Sequence, residues 1–168
     1  MTLQEREARA CAIIDSMAQE LRAVSLYLHD NPELGLNEHK AVKAIHQFLE
    51  KQNFISQVGL TDIRELQTAL RADYRGNAKY KIAFLGEYDA LPELGHGCGH
   101  NLIAMMSLGA AVAFSQSAPQ DWGTTFFGCP AEETIGVRYI WQRLVYLRAM
   151  RRRLLFILAV KMRWGAHP

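Results

Sequence analysis

Residues 86–100 read GEYDALPELGHGCGH and bring three carboxylates, two histidines and a cysteine into one glycine-rich run. The glycines favour turns and loops over a continuous helix. His96, Cys98 and His100 alternate with glycines, and in an extended backbone residues two apart point to the same side. We therefore expect these three side chains to converge. Thiolate and imidazole are ligands that Zn²⁺ and similar metals prefer, so the pattern predicts a metal site.

Two apolar segments lead into acidic residues. The first, 82–85, ends just before the quoted stretch, and the second, 124–129, ends before Pro130, Ala131, Glu132 and Glu133. Both are typical of buried strands, and α/β proteins place their sites at the carboxyl ends of such strands. We therefore expect both acidic clusters at one sheet edge. Adjacent residues of an extended chain point opposite ways, so Glu132 and Glu133 need a turn near Pro130 to face one site.

The flanking sequence predicts an α/β fold with a central mixed sheet between helices. A capping box at Thr2–Glu5 indicates a helix that continues to about Leu28. Further helices are predicted from an Asn37 cap to about Asn53 and from an Asn101 cap to about Phe114. The apolar stripe of the second helix consists of Ala41, Val42, Ile45, Phe48 and Leu49. Strands are predicted at 68–74, 80–88 and 124–129.

The composition, with 49% hydrophobic and 21% charged residues, is typical of a globular protein. Three cysteines do not make a disulfide framework. The charged N-terminus lacks the apolar region of a signal peptide, so we expect a cytoplasmic protein.

The charge changes abruptly along the chain. Residues 1–137 contain all 17 acidic residues and 11 basic ones, whereas residues 138–168 contain eight basic residues and no acidic one. A basic amphipathic helix on a membrane and a nucleic-acid arm are two interpretations of this tail. Its apolar run is too short to span a bilayer. We favour a third interpretation, an out-of-frame translation, and expect neither a membrane nor a nucleic acid as partner.

Three motifs together resemble one protein family. HDNPELGLNEHKA (29–41), AFLGEYDALPELGHGCGHN (83–101) and GTTFFGCPAEE (123–133) resemble, in order and spacing, the zinc aminoacylase and carboxypeptidase metallopeptidases, family twenty of that class. Within that family the motifs most resemble the subgroup of amidohydrolases such as aminobenzoyl-glutamate hydrolase and related dipeptidases. The resemblance implies that residues 1–136 are the N-terminal part of a zinc-exopeptidase-like catalytic domain. It also implies small-molecule substrates, N-acyl amino acids or dipeptides, and a homodimer in many members.

The resemblance also implies residue roles. Cys98, His100 and Glu133 would bind metal in a two-metal site that holds Zn²⁺, or else Mn²⁺ or Co²⁺. Glu132 would be the general base that accepts a proton from the attacking water, and Asp89 would be a carboxylate that orients a ligand. His96 would shape the loop, and Glu87 receives no defined role.

The resemblance ends at about Gly136. Family members continue with further metal-binding histidines and a lid or dimerisation domain, so we expect this chain to be weakly active or inactive. The alternative is a non-catalytic metal-binding remnant or a partner of a full-length homologue. If codons are chosen suitably and read from the third base of the Val137 codon, the tail becomes KIYMAEAGVFEGYAAAFVVHPGSENAVG, which resembles the family sequence after its glutamate pair. We therefore predict that residues 137–168 are an out-of-frame translation.

Overall fold

A computed structural model describes residues 1–59 and 66–135, together with the backbone of residues 156–157. The helices are α1 (Leu3–Ser16), α2 (Ala18–Asp30), α3 (His39–Lys51), α4 (His100–Ser117) and the short α5 (Glu132–Ile135). The strands are β1 (Ile55–Val58), β2 (Leu70–Tyr74), β3 (Tyr80–Glu87), β4 (Trp122–Cys129) and β5 (Phe156–Ile157). The predicted strands at 68–74, 80–88 and 124–129 correspond to β2, β3 and β4.

The five strands form one mixed sheet in the order β1-β2-β4-β3-β5. Strand β3 runs parallel to β4 and to β5, whereas β2 is antiparallel to both β1 and β4. The α/β fold with a central mixed sheet is therefore confirmed. The register pairs Glu87 with Cys129, so β3 and β4 end side by side at the same edge. This register brings the two acidic clusters together.

One apolar core joins α2, α3 and α4 to the sheet. Its fully or almost fully buried members include Leu28, Ile45, Phe48, Phe84, Leu108 and Phe126. The five residues predicted as the buried stripe of α3 are all buried. Helix α4 approaches β3 closely at Gly86, where a Cβ atom would lie 2.9 Å from Phe126 Cζ and 3.3 Å from Ala104 Cα. The first residue of α4 is thereby held against the carboxyl end of the sheet.

The N-terminal helix differs from the prediction in length. Its capping box is present, with Thr2 Oγ1 accepting from the Glu5 amide at 3.2 Å and Glu5 Oε2 accepting from the Thr2 amide at 2.7 Å. The continuous helix to Leu28 is wrong, because the chain breaks at Met17 (φ −108°, ψ 9°) into α1 and α2. Met17 is buried in the core, and neither glycine nor proline marks the break in the sequence.

Two predicted helix caps are wrong for one physical reason. Helix α3 begins after Glu38, not Asn37, and its first amides bond to a distant side chain: Glu33 Oε2 accepts from Lys40 N at 2.8 Å and from Ala41 N at 3.0 Å. Helix α4 begins after Gly99, and Asn101 lies inside it, donating to Ser25 Oγ at 3.2 Å. Tertiary contacts replace the local caps that the sequence suggested.

Among the described residues, no helix is long and apolar enough to cross a membrane. The predicted tail, residues 137–168, lies outside the described residues except for β5.

Candidate metal site

The polar residues at the carboxyl edge of the sheet come from three elements. Glu87 is the last residue of β3, His100 is the first residue of α4, and Glu132 and Glu133 begin α5 after β4. Parallel strands in register, each followed by a turn, bring these elements to one place. The expectation that both acidic clusters share an edge agrees with this arrangement.

His100 is buried and is held by Asp89. Its Nδ1 lies 2.9 Å from Asp89 Oδ1 and 3.0 Å from the Asp89 carbonyl oxygen. Both partners are acceptors, so Nδ1 carries the proton and donates it. Asp89 is 1% exposed. Burial raises the pKa of this carboxyl, but the hydrogen bonds from His100 and from the Glu133 amide outweigh burial and leave the pKa below its usual value.

The other nitrogen of His100 faces carboxylates. Its Nε2 lies 3.5 Å from Glu133 Oε1, 3.7 Å from Glu87 Oε2 and 4.0 Å from Glu132 Oε2. Ligand atoms of Glu87, His100 and Glu132 all lie within 4.8 Å of one another. Burial lowers the pKa of His100, but the hydrogen bond to Asp89 and the charges of Asp89 and Glu87 raise it above the usual value. This concentration of negative charge favours a cation.

Cys98 lies next to the same group and is exposed. A hydrogen bond with the Glu133 side chain, reinforced by the negative charge of Glu133, raises the pKa of the Cys98 thiol to about 11. A bound cation acts in the opposite direction, because metal coordination deprotonates a thiol. Cys98, His100 and Glu133, the three residues predicted to bind metal, are therefore neighbours in space.

The extended geometry predicted for residues 96–100 is wrong. Gly99 has a left-handed backbone (φ 74°), and its amide donates to the His96 carbonyl oxygen at 2.9 Å, which closes a turn. Among the described residues, the compact group of possible ligand atoms around His100 comprises Glu87 and Glu132, and His96 lies outside it, as do Cys98 and Glu133. Its ring is half-buried, and that burial lowers the pKa of His96. Turn geometry, rather than strand alternation, places Cys98 beside Glu133.

A turn at Ala131 aims Glu132 and Glu133 into the site. Ala131 has a left-handed backbone (φ 52°), and its carbonyl oxygen accepts from the Ile135 amide at 3.0 Å. The Glu133 amide donates to Asp89 Oδ2 at 3.0 Å. Asp89 therefore bonds both to His100 and to the backbone that carries the glutamates. The sequence predicted a turn after Pro130, and the structure has it.

Sequence reasoning missed the place of Glu87 in this group. Glu87 lies two residues before Asp89, so the alternation of an extended chain puts both on one side. This spacing is a signal in the sequence that groups Glu87 with Asp89.

The donor set fits a divalent metal. It consists of an imidazole nitrogen, several carboxylate oxygens and a neighbouring thiol, which suit zinc and other borderline metals. A histidine that ligates metal usually donates its second ring N–H to a carboxylate, and His100 donates in this way to Asp89. Cys98, His100 and Glu133, together with Glu87 and Glu132, are the residues that could hold such an ion.

Comparison with known proteins supplies independent information. No family model matches the chain. It is 37% identical over 145 residues to the Xaa-Arg dipeptidase of Mus musculus, an alignment that covers 80% of this chain and 34% of that protein. It is 31% identical over 140 residues to a p-aminobenzoyl-glutamate hydrolase chain of Escherichia coli K12, which covers 71% of this chain and 28% of that protein.

A solved structure shares the fold. The chain superposes on the Bacillus subtilis YXEP protein, described as a dinuclear metal binding peptidase from the M20 family, with a TM-score of 0.64 and 26% sequence identity. The superposition covers 78% of this chain and 40% of the other. This chain spans about a third of the length of the curated relatives it matches.

Proposed function

Because the matched part of this chain belongs to the M20 family of metallopeptidases, we propose that it forms the metal-binding part of a hydrolase that cleaves an amide bond. The bond joins an acyl or aminoacyl group to an amino acid, and the substrates are small molecules. The observation that carries the proposal is the pair His100–Asp89, which presents Nε2 to three carboxylates.

Three residues form the proposed metal-binding set. His100 offers Nε2, Glu133 offers a carboxylate oxygen 3.5 Å from it, and Cys98 offers the thiol beside Glu133. Asp89 holds the His100 ring in the tautomer that leaves Nε2 free to bind. The sulfur ligand favours Zn²⁺ over Mn²⁺ or Co²⁺. A metal in this position would polarise the amide carbonyl and would lower the pKa of a water molecule bound to it towards neutrality.

Glu132 is the proposed general base. Its Oε2 lies 4.0 Å from His100 Nε2, so the carboxylate borders the proposed ligand set, and its side chain is 16% exposed. That exposure lets water reach the carboxylate. Glu132 would accept a proton from the attacking water and donate it to the leaving amine, as carboxylates do in general acid–base catalysis.

The substrate class is supported by the relatives' names. One relative is named an Xaa-Arg dipeptidase and another a p-aminobenzoyl-glutamate hydrolase. Both names refer to substrates in which an amino acid contributes the nitrogen of an amide bond. We propose that the protein to which this chain belongs cleaves the same kind of bond.

The test separates metal binding from turnover. Zinc binding by the purified chain is measured by calorimetry, and hydrolysis of aminoacyl-arginine dipeptides and N-acyl amino acids is assayed with Zn²⁺, Mn²⁺ or Co²⁺. We expect His100→Ala to abolish zinc binding. The control, His29→Ala, removes an exposed histidine and should leave binding unchanged. We expect Glu132→Gln to retain zinc and to lose any turnover, by about 10²–10⁴-fold.

Each outcome has a defined meaning. Zinc binding unaffected by His100→Ala would contradict the proposed centre. Hydrolysis unaffected by Glu132→Gln would contradict the role of that residue. Zinc binding without turnover by the unmodified chain would indicate a metal-binding protein that is not itself a catalyst.

A further inference from the structure

A second buried carboxylate, that of Glu38, bonds to the turn that carries Glu132 and Glu133, and none of the roles described above involves it. Glu38, the residue before α3, is 0% exposed. Its Oε2 accepts from Thr68 Oγ1 at 2.7 Å, and its Oε1 accepts from the Ala131 amide at 2.7 Å. A buried charge is costly unless it is hydrogen-bonded, so the burial of the Glu38 carboxylate depends on the hydrogen bonds from these two groups. One of those groups is the residue immediately before Glu132.

Ala131 is where the chain needs such support. A left-handed backbone is unfavourable for a residue with a Cβ atom, because the Cβ approaches the following carbonyl oxygen. Ala131 nevertheless has φ 52° and begins the turn that carries Glu132 and Glu133. The hydrogen bond to Glu38 holds this amide in place. The next support is Asp89, which accepts from the Glu133 amide. Two buried carboxylates therefore fix two amides of the same turn.

The chain around Glu38 reaches both halves of the site. We call residues 33–38 the brace. At one end, the Glu33 carbonyl oxygen accepts from the Ala90 amide at 2.8 Å, next to Asp89. In the middle, a Cβ atom on Gly35 would lie 2.9 Å from Thr134 Oγ1 and 3.1 Å from Ala131 Cα, so the brace packs directly on the α5 turn. At the other end is the Glu38 carboxylate.

We propose that Glu38 is a positioning residue whose buried carboxylate fixes the left-handed turn at Ala131 and so aims Glu132 and Glu133 at His100. The inference rests on the proposed function for its consequence in catalysis, but its structural claim does not require a metal. Glu38 touches neither substrate nor metal in this scheme. It acts through the backbone of the turn.

The first measurement is hydrogen exchange at the amides of Ala131 and Ile135, followed by NMR without metal. Removing the acceptor in Glu38→Ala should speed exchange at both amides by at least about tenfold, because the turn opens more often. Glu38→Gln retains an acceptor for Ala131 and a group that can bond Thr68, so its exchange should stay within about twofold of the unmodified chain. The second measurement is zinc affinity, which should fall by about 10- to 100-fold in Glu38→Ala.

Two further variants separate positioning from a general loss of stability. Asp73→Ala removes another carboxylate that accepts from a threonine hydroxyl, Thr125 Oγ1 at 2.6 Å, but in the sheet and outside the turn. It should leave exchange at Ala131 and zinc affinity unchanged. Adding Ala131→Gly to Glu38→Ala should restore part of both, because glycine adopts a left-handed backbone readily. If Glu38→Ala does not fold, Thr68→Val is used instead, because it removes the hydroxyl that bonds Glu38. It should also speed exchange at the turn amides and lower zinc affinity.

The proposal is overturned if the turn amides exchange at the original rate in Glu38→Ala, or if Asp73→Ala has the same effect. If the unmodified chain binds no zinc, the proposed function fails, and the exchange measurement still decides the role of Glu38.

Discussion

The Asp89 carboxylate accepts hydrogen bonds from two groups of the proposed centre, the His100 ring and the Glu133 amide. A single substitution distinguishes the effects of these two bonds. In Asp89→Asn the amide oxygen can still accept from the Glu133 amide, while the new N–H₂ faces His100 Nδ1. A donor at that position favours the tautomer with the imidazole proton on Nε2, where it blocks metal binding, and competes with the Asp89 carbonyl oxygen, which still accepts from Nδ1 in the other tautomer. We expect zinc affinity to fall by about 10- to 100-fold with the fold retained. Calorimetry gives the affinity, and ¹⁵N NMR of His100 reports the tautomer.

A matched control is the exposed pair His29–Asp30, whose Nδ1–Oδ1 distance is 3.3 Å. Asp30→Asn makes the same chemical change beside a histidine that faces solvent, and zinc affinity should not change. An Asp89→Asn protein that binds zinc as tightly as the original would show that the tautomer of His100 is not set by the Asp89 carboxylate.

The sequence predicts the neighbourhood of the site better than its internal geometry. The sequence predicts that Cys98, His100 and Glu133 lie together, because their types suit a metal and their motifs resemble a family, and they are neighbours in the structure. The convergence of His96 on the site, predicted from alternation, is wrong because alternation applies to strands and this segment is a turn. The sequence gives no signal for Glu38, because its role depends on a contact with Ala131, 93 residues away in the chain.

At the scale of elements, the contact between α4 and β3 determines the position of His100, the first residue of α4. Gly86 lets the helix approach, because a Cβ there would lie 3.3 Å from Ala104 Cα of α4, and it would also lie 2.9 Å from Phe126 Cζ of β4. We expect Gly86→Ala to lower the free energy of unfolding by about 1–3 kcal/mol, since the helix or the ring must shift. Urea denaturation measures this. Gly76→Ala is the control, because its Cβ would meet Asp73 Cβ at 3.6 Å, an ordinary contact, and it should change stability by less than about 1 kcal/mol. Equal stabilities would mean that α4 does not pack this closely.

The elements differ in how far the sequence predicts them. The strands β2, β3 and β4 follow from apolar patterns that burial enforces. The sequence does not predict strand β1, because three of its four residues are exposed and no alternation marks it. The break at Met17 and the starts of α3 and α4 depend on tertiary contacts, as Glu33 and Asn101 illustrate. Local propensity does not contain that information.

For the whole molecule, the charge break after residue 137 coincides with the end of the family resemblance. Of the 19 basic residues, eight follow this point and no acidic residue does. Among residues 137–168 the structure describes β5 alone, whose backbone pairs in parallel with Ala83 and Phe84 of β3. We propose that residues 1–136 are the N-terminal part of a metallohydrolase catalytic domain and that residues 137–168 are read out of frame.

This inference predicts a specific result at the level of DNA. A shifted frame changes every residue after one point and none before it, so codons up to about 136 should be unaffected and a one- or two-base insertion or loss should lie close to codon 137. With suitable codons the shifted frame gives FVVHPG over the stretch that includes β5. This segment is apolar enough to pair at the sheet edge, and it contains the His-Pro pair that the family resemblance implies after the glutamate pair. Sequencing the genomic DNA and the transcript across this point is the measurement. A single uninterrupted frame in both, encoding the basic tail, would refute the frameshift and return the tail to a membrane or nucleic-acid role, which retention on anionic liposomes or on DNA would then distinguish.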